Sequence, residues 1–496
     1  MIHVLTAAEM RAADERAINA GTPSRELMER AARAALEVLE CEFDTSLVLF
    51  LCGGGNNGGD GLAMARFFAE GGGHARVIYM GRTDPCGAPD TDAMSIECAR
   101  QFSLLPPAVE VCTVLKTEGA TAAVDAIFGI GLTRPIEGSI KEAIEALRTA
   151  KLPVLALDIP SGVNADTGAV MGVALPAKKT VAIAAQKWGH LLYPGTALCG
   201  EITVADIGIR VEHSVGFLME KNDLEDLPPR PPRAHKGSFG RVLIIGGSVG
   251  MSGAGFLAAK AALRAGAGLV EIFAPWENRV IYQTQLPEAL LTLYDPEHFD
   301  EKALLGALER ADAVAIGMGL SQSETAHRIV TCALTHTAVP LIADADALNL
   351  MAKDPSLLAL CYKRGAPTVL TPHLGEMSRL SGYPIAALSA DLPDHARAFA
   401  KGSGTVLVMK DARTVVSDGE KCYLNTFGNS GMATGGSGDV LAGIIASFAA
   451  QGASPLDAAR LGVLAHALAG DVACSRYGNR GLMAGDIIEG LCEALK

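Results

Sequence analysis
The chain of 496 residues carries a formal net charge of −13 at pH 7, with 49% hydrophobic and 20% charged residues. That length calls for two or three domains, and that balance is globular rather than disordered. The acidic excess, with no cluster of Lys or Arg to displace counterions, argues against a nucleic-acid or anionic-membrane partner, and no apolar run reaches the roughly 18 residues that span a bilayer.

The opening Met1-Ile2-His3-Val4-Leu5-Thr6 lacks a charged segment followed by an apolar core, so no export signal is expected. The 11 cysteines form no C-x-x-C pair and no Cys/His ligand spacing, which fits reduced thiols in the cytoplasm. Two helical patterns, about Ala7–Ala20 and Ser24–Glu40, are parted by Pro23. Strands are then predicted at Leu47–Leu51, Ala75–Met80, Ala122–Ile127, Val154–Leu157, Thr180–Ala184 and Glu201–Ala205, with helical stretches between, which implies parallel βαβ units.

A proline-rich, charged stretch at Asp223–Arg233 can continue neither a helix nor a central strand and reads as an extended linker. It divides the chain into residues 1–222 and 234–496. After it, strands are predicted at Val242–Ile245, Val270–Phe273, Ala313–Ile316, Leu341–Ala343, Thr368–Leu370 and Val406–Met409, with an Ala-rich helix at Ala254–Ala265. Thr414–Val416 and Lys421–Leu424 flank Ser417-Asp418-Gly419-Glu420 as a hairpin. Helices at about Asp439–Ala450 and Pro455–Ala473 close the domain. The Ala-rich helices suit self-association as well as core packing; a homo-oligomer is the expectation.

The candidate chemistry sits at predicted strand ends, where open parallel sheets bind ligands. Cys52-Gly53-Gly54-Gly55-Asn56-Asn57-Gly58-Gly59-Asp60-Gly61 links a strand to a helix and can bring backbone N–H groups close to a ligand. Gly53, Gly55 and Gly58, with Asp84 further on, also spell a dinucleotide fingerprint, a weak match in so glycine-rich a run. The paired Asn and Asp60 suit amide and hydroxyl groups, or a cation, better than pyrophosphate. Asp125-Ala126-Ile127-Phe128-Gly129-Ile130-Gly131-Leu132-Thr133-Arg134 and Asp158-Ile159-Pro160-Ser161-Gly162 end two further strands, and Lys187-Trp188-Gly189-His190 follows another. A strand-end carboxylate with a lysine nearby is a plausible acid/base pair.

In the second half, Thr434-Gly435-Gly436-Ser437-Gly438-Asp439 precedes an apolar helix, as an anion hole built on a helix N-terminus would. Asp439 reads either as a plain cap or, better, as the base for an attacking hydroxyl during phosphoryl transfer. His373, between Pro372 and Leu374-Gly375-Glu376, Asp344-Ala345-Asp346, Gly317-Met318-Gly319 and Lys410-Asp411-Ala412-Arg413-Thr414 also fall at strand ends. No G-x-x-x-x-G-K-[ST] is present, so this is no P-loop.

Gly-Gly-Asn-Asn-Gly-Gly-Asp, Leu-Asp-Ile-Pro-Ser-Gly and Tyr-Pro-Gly over residues 1–215 resemble the NAD(P)H-hydrate epimerase family. That resemblance implies a Rossmann-like three-layer sandwich and a potassium ion held by Asn57, Asp125 and Ser161. It also implies a hydrated nucleotide lined by Asn56, Asn57, Gly58, Gly59, Asp60, Gly129, Ile130, Gly131, Leu132, Thr133, Arg134, Pro135 and Asp158. Asp158, with Lys187, is the expected acid/base group. Residues 225–496 resemble the ADP/ATP-dependent NAD(P)H-hydrate dehydratase family, with a ribokinase-like α/β fold. This second likeness implies Ala254, Gly319, His373 and Asp439 at the hydrate, and Lys410, Asp411, Ala412, Arg413, Thr414 and Gly438 at an adenine nucleotide used with magnesium. Together they imply repair of NADHX and NADPHX: epimerisation of the R and S hydrates, then ADP-dependent dehydration to NAD(P)H, AMP and phosphate. The competing readings are a small-molecule kinase with an accessory domain, a silent N-terminal ligand-binding module and, least favoured, a dehydrogenase.

Overall fold
The computed structural model describes residues 1–496, and the chain divides into two compact units, His3–Val215 and Gly216–Lys496, the latter with Met1–Ile2. No helix is long and apolar enough to cross a membrane.

In the first unit, β1 (Ile2–Leu5) leads into a helix, Ala7–Asn19, started by a capping box in which Thr6 and Glu9 satisfy each other's backbone N–H. A second helix, Ser24–Glu42, follows. The sheet strands are β2 (Val48–Cys52), β3 (Ala75–Tyr79), β4 (Glu110–Cys112), β5 (Ala122–Ala126), β6 (Val154–Leu157), β7 (Lys179–Ile183) and, after the short β8 (Gln186–Lys187), β9 (Glu201–Ala205). They form a 7-stranded sheet in the order β4-β3-β2-β5-β6-β7-β9, every pair parallel. Alternate residues of β2 serve two cores: Val48, Phe50 and Cys52 pack with the opening helices, Leu49 and Leu51 with Ile144 and Leu147 of the helix Gly138–Ala150. Burial on both faces explains why these strands are unbroken apolar runs, and it makes the unit a three-layer sandwich. The chain leaves β2 toward β3 and β4 and later restarts at β5 on the other side. The switch point therefore lies between β2 and β5, where a crevice opens at the strands' carboxyl ends. β1 and β8 pair in parallel, with Leu5 opposite Lys187.

The second unit contains β10 (Gly216–Leu218), β11 (Arg241–Ile245), β12 (Leu269–Pro275), β13 (Leu290–Tyr294), β14 (Ala313–Ile316), β15 (Leu341–Ala343), β16 (Thr368–Leu370), β17 (Val406–Met409), β18 (Thr414–Ser417) and β19 (Cys422–Asn425). Their order is β13-β12-β11-β14-β15-β16-β17-β18-β19-β10. The pairs from β13 to β17 are parallel, and β17-β18-β19 turn antiparallel through the predicted hairpin. Here the switch point lies between β11 and β14. The Ala-rich helix Ser252–Arg264 spends its small side chains in the core: Ala258, Ala259, Ala261 and Ala262 are fully buried.

Three expectations change. The units part at Val215/Gly216 rather than at 222, because Gly216–Leu218 pairs with β19. The stretch Asp223–Arg233 is not a free linker: Lys221–Asp226 is a 3-10 helix, Arg460 pairs with Asp226 at 2.7 Å, and Arg230 stacks on Phe239 while donating to the Gly266 carbonyl. A further helix, Ala484–Ala494, follows the two expected to close the domain.

The helix Ser437–Ala450 crosses Ser252–Arg264 so closely that a Cβ on Gly443 would stand 2.1 Å from the Ala258 carbonyl oxygen. Gly443→Ala is therefore expected to destabilise the second unit by about 1–3 kcal/mol in urea unfolding. Gly402→Ala, on a helix with open space around it, should stabilise it by about 0.5–1 kcal/mol.

Candidate active sites
The first unit holds a cavity of about 530 Å³ at the switch point. Its walls come from the opening helices (Met10, Asp14, Leu27, Met28), the loop after β2 (Gly54–Asn57 and Asp60), the loop after β5 (Ile127–Leu132), and Asp158 and Lys187. At its floor the Lys187 ammonium, fully buried, donates to Asp158 Oδ1 at 2.5 Å and to the Ile183 carbonyl at 2.7 Å. Burial alone would raise the Asp158 carboxyl, but the adjacent Lys187 charge and hydrogen bond, with His190 and the Ile130 N–H, hold it below the usual carboxylate range. His190 locks the arrangement. Its Nδ1 accepts from the Lys187 N–H at 2.9 Å, so Nε2 carries the proton and donates to the Asp158 carbonyl at 2.6 Å. Burial and the Lys187 charge bring the His190 pKa down to about 4, which keeps it neutral. Asp158 itself has φ = 65°, a left-handed conformation that costs a non-glycine residue on the order of 1–3 kcal/mol.

Beside this pair, Asp125 is fully buried with no cationic partner. Burial lifts its pKa to about 6 even though the Ser161 O–H (2.6 Å) and N–H (2.7 Å) both donate to it. The Asn57 carboxamide is buried with its N–H group unpaired, as expected of a side chain that faces a ligand. Asn57 and Asp158 converge on Gly129: a Cβ there would stand 3.0 Å from Asp158 Oδ2 and 3.3 Å from Asn57 Oδ1.

In the second unit, Lys410 at the end of β17 pairs with Asp344 at the end of β15, 2.8 Å apart, and the Thr371 hydroxyl donates to the same carboxylate. Both charged groups abut the loop before the helix Ser437–Ala450: a Cβ on Gly438 would stand 3.2 Å from Lys410 Nζ and 3.3 Å from Asp344 Oδ2. The helix Ser437–Ala450 begins at Gly436 (φ 92°) with no side-chain cap, so the Asp439 carboxylate is not spent on capping. Burial, then the nearby Asp344 charge, raises the Asp439 pKa to about 7. His466, buried, meets the Ser437 hydroxyl at 3.2 Å and braces the loop from behind. Gly319 and Ala254 touch: a Cβ on the former would lie 2.9 Å from the latter's methyl.

The structure gathers most of the sequence-predicted residues and leaves some aside. Asn56, Asn57, Asp60, Gly129, Ile130, Gly131, Leu132, Asp158 and Lys187 line the first cavity. Gly58 and Gly59 do not: Gly58 packs on the Gly53 carbonyl and Gly59 on Met28. Thr133, Arg134 and Pro135 are exposed beyond the cavity wall. Asp84, the candidate acid of the dinucleotide fingerprint, accepts the N–H groups of Cys86 and Ala88 in a local turn. His373 is an N-cap for the helix Leu374–Ser381, accepting the Gly375 N–H at 3.0 Å. Arg413 is anchored on the Thr426 carbonyl. Asp14 and His466 stand at these sites without having been singled out in the sequence, whereas His190 and Asp344 lay in strand-end segments that were singled out but were given no role. Asp14 had a signal, a carboxylate in the Met10–Asp14–Ile18 helical stripe; His466 had none.

A family model described as NAD(P)H-hydrate dehydratase matches residues 242–492, and one described as YjeF-related protein N-terminus matches residues 24–189. A bifunctional NAD(P)H-hydrate repair enzyme from Moorella thermoacetica is 37% identical over 519 residues, covering 100% of this chain and 97% of that one. The enzyme of the same name from Escherichia coli is 35% identical, covering 94% and 88%. A solved ribokinase-like superfamily protein from Enterococcus faecalis, 29% identical, covers 58% of this chain and 97% of that chain with a TM-score of 0.51. Two parallel α/β units, one of them ribokinase-like, define a fused small-molecule enzyme. The chain belongs to the family of bifunctional NAD(P)H-hydrate repair enzymes.

Lys187→Met leaves a buried carboxylate without its counter-ion, and should destabilise the first unit by about 3–5 kcal/mol. Adding Asp158→Asn should recover a large part of that loss, a coupling read from the double-mutant cycle in urea. Asp439 behaves oppositely. Its raised pKa means that its favourable contribution is complete below about 4 and is lost as pH rises through about 7. Asp439→Asn should therefore melt above the wild type at pH 8, with a gain that shrinks as the pH is lowered toward 4.

Proposed function
We propose that the first unit interconverts the R and S hydrates of NADH and NADPH, and that the second dehydrates the S hydrate with Mg·ADP, giving NAD(P)H, AMP and phosphate. The observation that carries this reading recurs in both units: a lysine–carboxylate pair stands at strand ends, Asp158–Lys187 fully buried at the first cavity and Asp344–Lys410 partly buried beside the Gly435–Gly438 loop in the second.

Inversion of the hydrate needs proton transfer and no redox step. Asp158, held ionised by Lys187, is the acid/base group at the ring hydroxyl, and the apolar walls of Met10, Leu27 and Met28 keep bulk water from the reduced ring. Asn56, Asn57, Asp60 and the Gly129–Leu132 loop hold the nucleotide. Asn57, Asp125 and Ser161 fit a monovalent cation, because they offer oxygen donors around one buried carboxylate that lacks a cationic partner. A potassium ion held by these three residues would supply the positive charge that Asp125 lacks, beside the loop whose Phe128 N–H donates to the Ser161 hydroxyl oxygen.

Hydroxide is a poor leaving group, and phosphorylating it makes departure easy. Asp439 takes the proton of the hydrate's hydroxyl while its oxygen attacks the terminal phosphorus of ADP. The Gly435–Gly438 loop and Lys410 receive the phosphoryl group's charge. The ring nitrogen then expels phosphate and restores the dihydropyridine. Asp411–Thr414 form the nucleotide side, and Ala254, Gly319 and His373 the hydrate side. All eleven cysteines are free thiols, which suits a reducing cytoplasm.

With S hydrate and Mg·ADP, NADH, AMP and phosphate should appear in equal amounts, and Asp439→Asn should abolish all three. A phosphorylated hydrate that accumulates with AMP would instead make the second unit a kinase. Since Asp439 must be ionised, turnover should rise with pH through about 7.

A further inference from the structure
Asp14 has no place in the chemistry described so far, yet it stands in the wall of the epimerase cavity. It lies one turn after Met10 and one before Ile18, on the stripe of the helix Ala7–Asn19 that faces the cavity. A partly buried carboxyl is unfavourable unless something polar comes to meet it. It makes no hydrogen bond and no ion pair within the protein, although it feels the charges of both Lys187 and Asp158. Asp14, Asp158 and Lys187 all line the one cavity, together with Ile130, Leu27 and Met28.

We propose that Asp14 is the second acid/base residue of the epimerase, working on the opposite face of the hydrated nicotinamide ring from Asp158. This rests on the epimerase reading of the first unit. In the forward step, the ring nitrogen lone pair forms an N=C bond to the carbon that bears the hydroxyl. The C–O bond breaks, its electron pair leaves with oxygen, and Asp14 supplies the proton that makes water. A second water then adds to that carbon from the other face. Its proton goes to Asp158 and the N=C π pair returns to nitrogen. One water leaves and one enters, nothing is oxidised, and the reverse step exchanges the roles of the two carboxyls.

Two carboxyls with different proton affinities are what such a step requires. Burial pushes Asp14 up to about 6, against the lowering pull of Lys187 and with the raising influence of Asp158 and Glu15. Asp158 is held low. Burial pushes Asp60, the other acid near Asp14, well above the usual carboxylate range. Arg11, on the same helix, is turned to the Ile130 carbonyl. The helix Ser24–Glu42 and the loop after β5 contribute no titratable group to the cavity.

The test uses the full chain without ADP, so that dehydration is silent, and follows purified R hydrate becoming S hydrate by chromatography. Asp14→Asn should lower kcat about 100-fold or more with little change in KM, and Asp14→Glu should restore much of the rate. The wild-type rate should fall as pH rises through about 6, a limb that Asp14→Asn lacks. In ¹⁸O water, each inversion should bring one labelled oxygen onto the ring carbon. An Asp14→Asn enzyme with the wild-type rate and pH profile would overturn the role of Asp14 alone. Inversion that retains the original oxygen would overturn the water-exchange route. A wild type that does not interconvert the hydrates would overturn this proposal together with the epimerase reading.

Discussion
Parallel strand pairing is the constraint on which both sites depend. In β2 to β9, and again in β11 to β17, neighbouring strands run in the same direction, so every carboxyl end opens on one side of its sheet. Residues far apart in sequence are thereby delivered to one place. Asn57 follows β2, Asp125 lies in β5, and Asp158 and Ser161 follow β6. In the second unit, Asp344 follows β15, Thr371 follows β16 and Lys410 follows β17. The apolar interiors of these strands are the price of that arrangement, because a parallel sheet must be covered on both faces.

Within each crevice, desolvation sets the chemistry. Water is scarce around Asp158, Asp125, Asp14 and Asp439, and each carboxyl responds according to its partner. Lys187 keeps Asp158 ionised, Ser161 only tempers the rise at Asp125, and Asp439, pressed by Asp344, moves into the neutral range. The same physics makes the sites unstable relative to apolar replacements. Strained backbone at Asp158 and Ala345 adds to this, with φ of 65° and 48° at non-glycine residues.

Much of this was legible in the sequence, and the parts that were not share a cause. The sheet strands are apolar runs bounded by Gly, Pro or Asp, so β2, β5, β6, β11 and β14 to β17 could be located from composition and length. The short strands β4, β8 and β10 carry too few residues for any period to show. The lysine–carboxylate distances were not legible either: Lys187 and Asp158 are 29 positions apart, Lys410 and Asp344 66. Motif residues marked the strand-end loops but did not separate cavity-lining glycines, such as Gly129, from those, such as Gly58, that let backbone pack on backbone. The strip at 223–233 looked like a linker because prolines bar regular structure; only tertiary contacts show Arg230 and Asp226 fastened to the second unit.

The most direct test of two cooperating sites in one chain is a progress curve. An equal mixture of R and S hydrates is given excess Mg·ADP, and dihydronicotinamide absorbance is followed to its end with wild type and with Asp158→Asn. Wild type should recover all of the NADH. Asp158→Asn should consume the S hydrate at the normal rate and then slow to uncatalysed interconversion. If Asp158→Asn instead recovered all of the NADH at the wild-type rate, the assignment of epimerisation to the Asp158–Lys187 cavity would be wrong.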